Sequence, residues 1–262
     1  MNMTRYLKLF SEFLKFNLIR EVEFRGSFVI RLLVDFCWIF LHLAVLQIYF
    51  SFTSNIAGWS RPQVFALVGI FRIIKGLFDT YFRLNLTRLP EVINRGEFDF
   101  ILAKPVNTLF LTSTRYHQFS EFFSTLTGVA ILLYAVRIEN YSLSVLNLAA
   151  LFTSVFLGLL VFYSLILLLA TLSFFFTRVT SIRTYYDVIS NMVRVPTDAV
   201  FSNRLNTILF PLFLIVTLPA QIFLGKAPYV FLLLEASLAL IIFLSAYRFW
   251  LFALRHYSSA SS

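Results

Sequence analysis

The chain has little charge and almost no cysteine for its 262 residues. Charged residues make up 13% of it, whereas a soluble domain carries about a quarter. Hydrophobic residues make up 59%, and the two values together exclude an ordinary soluble domain. Cys37 is the only cysteine, so an intrachain disulfide cannot form. A Gly-x-x-x-x-Gly-Lys-Ser/Thr loop is also missing, so we do not expect the chain to bind and hydrolyse ATP by the P-loop route.

Patterns typical of catalytic and metal sites are missing as well. His42, His117 and His256 are scattered, without a carboxylate or cysteine at ligand spacing, and no serine lies in a Gly-x-Ser-x-Gly elbow. We therefore expect no metal, no cofactor in this chain and no enzymatic activity of its own. A cleavable signal peptide is not expected either, because charges occupy the first 26 residues, where its apolar region would lie.

What the sequence has instead is a series of apolar runs of the ~20-residue length that an α-helix needs to cross a bilayer. These runs lack the short alternation of barrel strands. We therefore predict an all-α integral membrane protein, with residues 1–262 forming one transmembrane domain of six spans. The predicted spans are 27–51, 63–84, 111–136, 145–176, 180–198 and 229–254.

Residues 3–25 place apolar side chains at helical spacing with cations between them, which predicts an amphipathic helix on the membrane surface. The net charge of +9 is distributed between the apolar runs, which favours membrane orientation over nucleic-acid binding. Only Arg61 lies in the loop after the first span, so we expect both termini to be cytoplasmic. Five cations precede that span: Arg5, Lys8, Lys15, Arg20 and Arg25.

The fifth span has two alternative positions. Hydropathy alone places it at 205–225 and leaves 177–204 as a cytoplasmic loop. In the other arrangement the semi-polar segment 180–198 crosses the membrane inside the bundle. Residues 200–225, which contain two prolines, then enter from outside as a re-entrant hairpin, which is tolerated where protein buries the backbone. Both arrangements give six spans.

Charged side chains inside the predicted spans cost about 2.5–3.5 kcal/mol each at a helix centre and usually face the bundle interior. The charged residues of the second span, Arg72, Lys75 and Asp79, lie on one stripe of the helix, which continues to Arg83. They either pair between helices and fix the packing, or line a polar pathway or gate. Asp35 and Lys75 are predicted partners, because both lie at a similar depth. The candidates are Arg31, Asp35, Arg72, Lys75, Asp79, Glu121 and Glu235.

The stretch 86–107 alternates charged and apolar residues between two apolar runs. Pro90 suits the first turn of a short helix, where its missing N–H costs nothing. Arg95 and Gly96 suit the end of that helix, because glycine accepts a left-handed cap. Pro105 ends the pattern that follows.

Within this stretch Phe98, Ile101 and Leu102 recur at helical spacing among charged residues. A helix that docks into a partner's groove needs such an apolar face. Alternatively, the face lies on the membrane surface or packs on the N-terminal helix.

The stretch Arg95-Gly-Glu-Phe-Asp-Phe-Ile-Leu-Ala-Lys-Pro-Val-Asn107 resembles a recurring segment of type-2 ATP-binding-cassette (ABC) exporter permeases. Two further stretches resemble the same subfamily: Gly58-Trp-Ser-Arg-Pro-Gln63 and Leu218-Pro-Ala-Gln-Ile-Phe-Leu-Gly225. The likeness covers almost the whole chain in order and spacing. It departs from the family at 180–198, which is unusually polar for a span.

This resemblance implies a six-helix permease of a bacterial inner membrane that pairs with a second permease, identical or homologous. It also implies two separate P-loop ATPase subunits, which would hold the ATP and Mg²⁺, and it favours the re-entrant arrangement of 200–225. The stretch 86–107 would be the cytoplasmic coupling element. Its implied coupling residues are Arg88, Glu91, Arg95, Gly96, Glu97, Phe98, Asp99, Ile101, Leu102 and Pro105.

On this interpretation the chain exports an amphipathic, lipid-like or drug-like substrate, with membrane lipids and the ATPase as partners and no nucleic acid. A membrane scaffold or assembly subunit without a transport pathway is the main alternative. An intramembrane enzyme would need a catalytic cluster that the sequence does not contain.

Overall fold

The structure, a computed structural model, describes residues 3–139, 141, 144–176, 182–200 and 210–257. Regular structure in these ranges is almost entirely helical. The exception is a pair of antiparallel two-residue strands, β1 (Asn55–Ile56) and β2 (Trp59–Ser60). In chain order the α-helices are α1 (Met3–Glu23), α2 (Arg25–Phe52), α3 (Arg61–Phe78), α4 (Leu84–Thr87), α5 (Leu89–Asn94), α6 (Phe98–Leu102), α7 (Thr108–Thr114), α8 (Phe122–Glu139), α9 (Val145–Thr171), α10 (Ile182–Val193), α11 (Thr197–Val200), α12 (Phe210–Phe213), α13 (Thr217–Phe223) and α14 (Phe231–His256).

Three short non-α segments extend these helices. A π-helical turn, Asp79–Arg83, continues α3. Turns of 3₁₀-helix precede α8 at Phe119–Glu121 and follow α9 at Leu172–Phe174.

Four helical segments of the described chain are long and apolar enough to cross a membrane, which agrees with an all-α membrane protein. They are Arg25–Phe52, Phe119–Glu139, Val145–Phe174 and Phe231–His256. The second predicted span corresponds to α3, which carries three cations, and the fifth to the 12-residue helix α10. Because α10 is shorter than the ~20 residues needed to cross a bilayer alone, the count of six spans stays a prediction.

The third predicted span began at 111, but the structure starts its helix at Phe119, after a break that follows α7. Asn85 explains the break. Its side-chain amide donates to the carbonyl of Tyr116 (2.7 Å), and its side-chain oxygen accepts from the Tyr116 N–H (2.9 Å). The Gln118 N–H bonds the carbonyl of Thr80 (3.0 Å). These bonds replace the helical bonds that the segment would otherwise make.

The predicted N-terminal helix is present as α1, and one side of it packs on the segment around α7. Asn17 donates to the carbonyl of Arg115 (3.0 Å), and the carboxylate of Glu21 accepts from the N–H of Ser120 (3.2 Å). Large apolar side chains on the rest of α1 stay exposed: Met3, Leu7, Phe16, Leu18, Ile19 and Val22. This division suits a helix at a membrane interface.

The closest helix packing is between α3 and α8, and it depends on small residues. A Cβ atom on Gly76 would lie 2.5 Å from the backbone nitrogen of Thr125, and one on Gly128 would lie 2.7 Å from the carbonyl oxygen of Gly69. Small residues let two helix backbones approach closely, which is a common way for membrane helices to associate.

The described part of the predicted hairpin 200–225 consists of two short helices, α12 and α13. Residues 214–220, from the turn after α12 into α13, are buried throughout. Residues 201–209 lie outside the described ranges, so the re-entrant course of the hairpin stays a prediction.

Candidate functional site

The predicted partner of Asp35 was Lys75, but the structure pairs Asp35 with Arg72. The Arg72 guanidinium lies 2.5 Å from the Asp35 carboxylate and also donates to the hydroxyl of Thr127 (2.7 Å). Lys75 instead pairs with Asp79, one helical turn further along its own helix. Equal depth could not decide between Arg72 and Lys75, because they lie close together on one face of α3.

Asp79 is the centre of a second group of charges at the π-helical turn. Its carboxylate is fully buried and accepts from Lys75 and from the hydroxyl of Tyr186 on α10. Arg83 lies 3.6 Å from Asp79 and 2.5 Å from Glu121. The predicted stripe along the second span is therefore present, and Glu121, which the sequence left isolated, is joined to it.

A cavity of about 340 Å³ lies between α2, α3 and α10, beside these ion pairs. It brings together side chains that lie far apart in the sequence. The charged and titratable residues that line it are Asp35, His42, Arg72, Lys75, Asp187 and Arg194. Sequence reasoning did not place His42, Asp187 or Arg194 in a site. The unusual polarity of 180–198 was the sequence signal for Asp187, which lies on α10, and for Arg194, which lies in the turn after α10.

Four of the seven predicted intramembrane residues do not line this cavity: Asp79 and Glu121, which belong to the charge group at the π-helical turn, and Arg31 and Glu235. Arg31 donates to the carbonyl of Ser27 in its own helix (3.2 Å). Glu235 on α14 is fully buried and accepts from the hydroxyl of Ser154 on α9 (2.6 Å). Glu235 therefore has the partner that the sequence did not identify, and it joins two helices.

The local signals of the stretch 86–107 correspond to the observed structure. Pro90 lies in the first turn of α5. The helix ends at Asn94, and Gly96 lies just after its C-cap. The φ of Gly96 is 70°, the left-handed conformation that glycine adopts without strain, and its N–H bonds the carbonyl of Ile93 (3.0 Å). Helix α6 then ends before Pro105.

The apolar face of α6 is divided differently from the prediction. Phe98 was predicted to belong to a docking surface, but it is fully buried in the chain's own core. Its ring packs edge-on against Phe174 after α9 (5.1 Å between centroids) and Tyr257 after α14 (5.3 Å). The exposed apolar residue is Phe100, at 73% exposure, together with part of Leu102 at 40%. Helical spacing identified the apolar residues of α6, but it did not show that Phe98 faces the chain's own core.

The same segment carries exposed charged side chains. Arg95 forms an ion pair with Glu91 (2.8 Å) and lies 4.0 Å from Glu97, and all three are largely exposed. The guanidinium carbon of Arg88 lies 5.6 Å from the centroid of the Tyr116 ring. The segment therefore has a buried side that Phe98 anchors to the core, and an exposed side that carries Phe100 and charges of both signs.

No group of three or more His, Cys, Asp and Glu side chains that could hold a metal ion occurs in the described ranges. The arrangement is that of a helical membrane protein with a polar cavity in its bundle and a separate exposed segment anchored to the bundle core.

Comparison with known families identifies this membrane protein more closely. The sequence pattern of the ABC-2 family transporter proteins matches residues 36–261. The chain therefore belongs to that family and is an ABC transporter permease, a class that associates with an ATPase subunit. No curated protein and no solved structure shows a significant match.

Proposed function

We propose that this chain is the permease subunit of an ABC exporter of a bacterial inner membrane. Two permeases, identical or homologous, would move an amphipathic, lipid-like or drug-like substrate outward across six spans each. Two separate ATPase subunits would bind the ATP and Mg²⁺, and the permease itself would catalyse no reaction. Both termini and the stretch 86–107 would face the cytoplasm.

One observation carries this proposal: the stretch 86–107 is mechanically joined to two long helices. The ring of Phe98 is enclosed by aromatic residues at the ends of α9 and α14, including Phe174 and Trp250. A displacement of α6 therefore moves the ends of two candidate spans with it, because packed interiors transmit strain. Phe100 and its charged neighbours point away from this anchor and are available to a partner.

The cavity between α2, α3 and α10 supports the transport part of the proposal. It is lined by charges of both signs and by apolar residues such as Trp38 and Phe71. Such a lining suits an amphipathic substrate better than a simple ion. Charged residues inside a bundle commonly mark a substrate pathway.

The experiment compares variants of the exposed face with a matched control elsewhere in the chain. Phe100→Asp and Glu97→Lys should each weaken co-purification of the ATPase, or uncouple its hydrolysis from export, while the permease still inserts. Val230→Asp is the matched control, because Val230 is an exposed apolar residue at the opposite end of α14. Normal ATPase binding with loss of export for some substrates only would assign the stretch to substrate recognition. Normal assembly without any measurable export would favour a scaffold.

The orientation is tested separately by thiol labelling. In a Cys37→Ser background, an impermeant reagent should fail to label Asn94→Cys from outside intact cells and should label it after lysis. Labelling from outside would place the stretch 86–107 on the wrong face of the membrane for a cytoplasmic ATPase and would overturn the proposed orientation.

A further inference from the structure

Three arginines surround one aromatic ring where α1 meets the segment between α7 and α8. The guanidinium carbons of Arg20, Arg88 and Arg115 lie 5.9, 5.6 and 5.0 Å from the centroid of the Tyr116 ring. They come from three different parts of the chain, so the fold, and not local sequence, brings them together. Each contact contributes about 0.5–1 kcal/mol at an exposed site.

The cluster has three positive charges. Within the described ranges, none of the three arginines lies within 4.0 Å of a carboxylate oxygen. Glu21, next to Arg20, is instead hydrogen-bonded to Ser120. Positive charge that no nearby carboxylate balances attracts an anion to this region.

The position of the cluster indicates which anion is available. Arg20 lies five residues before the candidate span that starts at Arg25, and Tyr116 lies three residues before the one that starts at Phe119. The bond from Ser120 to Glu21 brings the two span starts to the same membrane face. The cluster therefore lies at headgroup level, beside the exposed apolar residues of α1.

A cavity of about 300 Å³ opens beside the ring and matches an amphipathic ligand. Its charged lining consists of three cations, Arg88, Lys104 and Arg115, and one carboxylate, Glu97. The remainder of the lining is mostly apolar and includes Leu89, Val92, Phe100, Ile101 and Leu111. A phosphate group with an attached hydrocarbon chain fits such a lining, because arginine forks pair with phosphate oxygens.

We propose that Arg88 and Arg115, beside Tyr116, form a binding site for the phosphate group of an anionic phospholipid of the adjacent leaflet. Arg20 does not line the cavity and donates to the carbonyl of His117 (3.4 Å), so it adds positive charge from the α1 side of the ring. The bound lipid ties the stretch 86–107 to the segment between α7 and α8 by pairing with Arg88 and Arg115. This site is separate from the substrate cavity between α2, α3 and α10, and its cavity shares Glu97 and Phe100 with the docking surface proposed for the ATPase.

The test measures retention of lipid by the purified full-length chain in native mass spectrometry. The chain should retain phosphatidylglycerol in preference to phosphatidylcholine. Arg115→Gln should lower the affinity for phosphatidylglycerol about fivefold, and the triple change of Arg20, Arg88 and Arg115 to Gln more than tenfold. Tyr116→Leu should also weaken retention, whereas Tyr116→Phe, which keeps the ring face, should not. Arg115→Gln and Tyr116→Phe keep the proposal testable if the triple variant does not fold.

The matched control is a second triple variant, in which Arg5, Lys8 and Lys15 of α1 are changed to Gln. It removes the same charge from exposed positions of α1 and should change retention less than twofold. Equal losses in both triple variants would show a diffuse basic surface and overturn the site. Inorganic phosphate that binds as tightly as the lipid would assign the site to a free anion. Lipid retention that is unchanged in the cluster variants, with loss of ATPase binding, would assign the arginines to the protein partner.

Discussion

The carboxylate of Asp35 on α2 lies 2.5 Å from the guanidinium of Arg72 on α3. Apart from this ion pair, α2 packs on the core along one narrow edge, at Ile39, Leu43, Leu46 and Phe50. Ile39 is its only residue classed as buried, and most of its large apolar side chains are exposed. The charge pair therefore adds to a narrow apolar contact, and the rest of the apolar surface of α2 is left for lipid or for another subunit.

The first prediction is a coupling between these two residues. Asp35→Ala and Arg72→Ala should each lower thermal stability in detergent, because each leaves the other charge without its partner inside the bundle. The double variant should recover part of the loss, with an interaction energy above about 1 kcal/mol. The matched control is the Asp35–Lys75 cycle, which should be additive, since Lys75 pairs with Asp79. An additive Asp35–Arg72 cycle would contradict the observed pairing.

The second prediction separates the two phenylalanines of α6. Phe98→Ala should destabilise the chain by about 3–5 kcal/mol, because it leaves a cavity among packed rings. Phe100→Ala should change stability by less than about 0.5 kcal/mol, since its side chain is mainly exposed. Thermal unfolding of the two variants, without the ATPase, makes the comparison. Similar losses in both would mean that Phe98 is not the anchor.

These two cases show what the sequence could and could not predict. The limits of α5 follow from Pro90 and Gly96, because their effects act within one turn. Periodicity located the apolar face of α6, but a partner's groove and the chain's own core demand the same spacing, so the burial of Phe98 was missed. Membrane depth predicted Lys75 as the partner of Asp35, and this was wrong, because depth does not give the direction of each side chain around the helix.

The third prediction concerns the close packing of α3 and α8. Gly128→Ala should destabilise the chain by about 1–3 kcal/mol, because its Cβ would lie 2.7 Å from a backbone oxygen that cannot move independently. Gly26→Ala is the control: it also replaces a helical glycine, but nothing lies within 4 Å of its Cβ position. Since alanine has the higher helix propensity, that variant should be neutral or slightly more stable. Equal thermal stability of both variants would contradict the packing described.

The third span was predicted to start at 111, eight residues before the helical segment that starts at Phe119, and a tertiary contact explains the difference. The apolar pattern continues through 111–136, but Asn85 takes both backbone bonds of Tyr116, 31 residues away. Hydropathy records the apolar character of a segment and not the hydrogen-bonding partners that reach it from elsewhere.

The last prediction follows from this contact. Asn85→Ala should destabilise the chain by about 1–3 kcal/mol, because it leaves the N–H and carbonyl of Tyr116 without their bonds in a partly buried setting. It should also raise amide hydrogen exchange in residues 114–121, and it should weaken the arginine cluster, which depends on the position of the Tyr116 ring. Asn55→Ala, at an exposed asparagine in β1, should leave stability and exchange unchanged. Unaltered exchange at 114–121 in Asn85→Ala would show that the break in the helix is held by other contacts, such as the bond from Gln118 to Thr80.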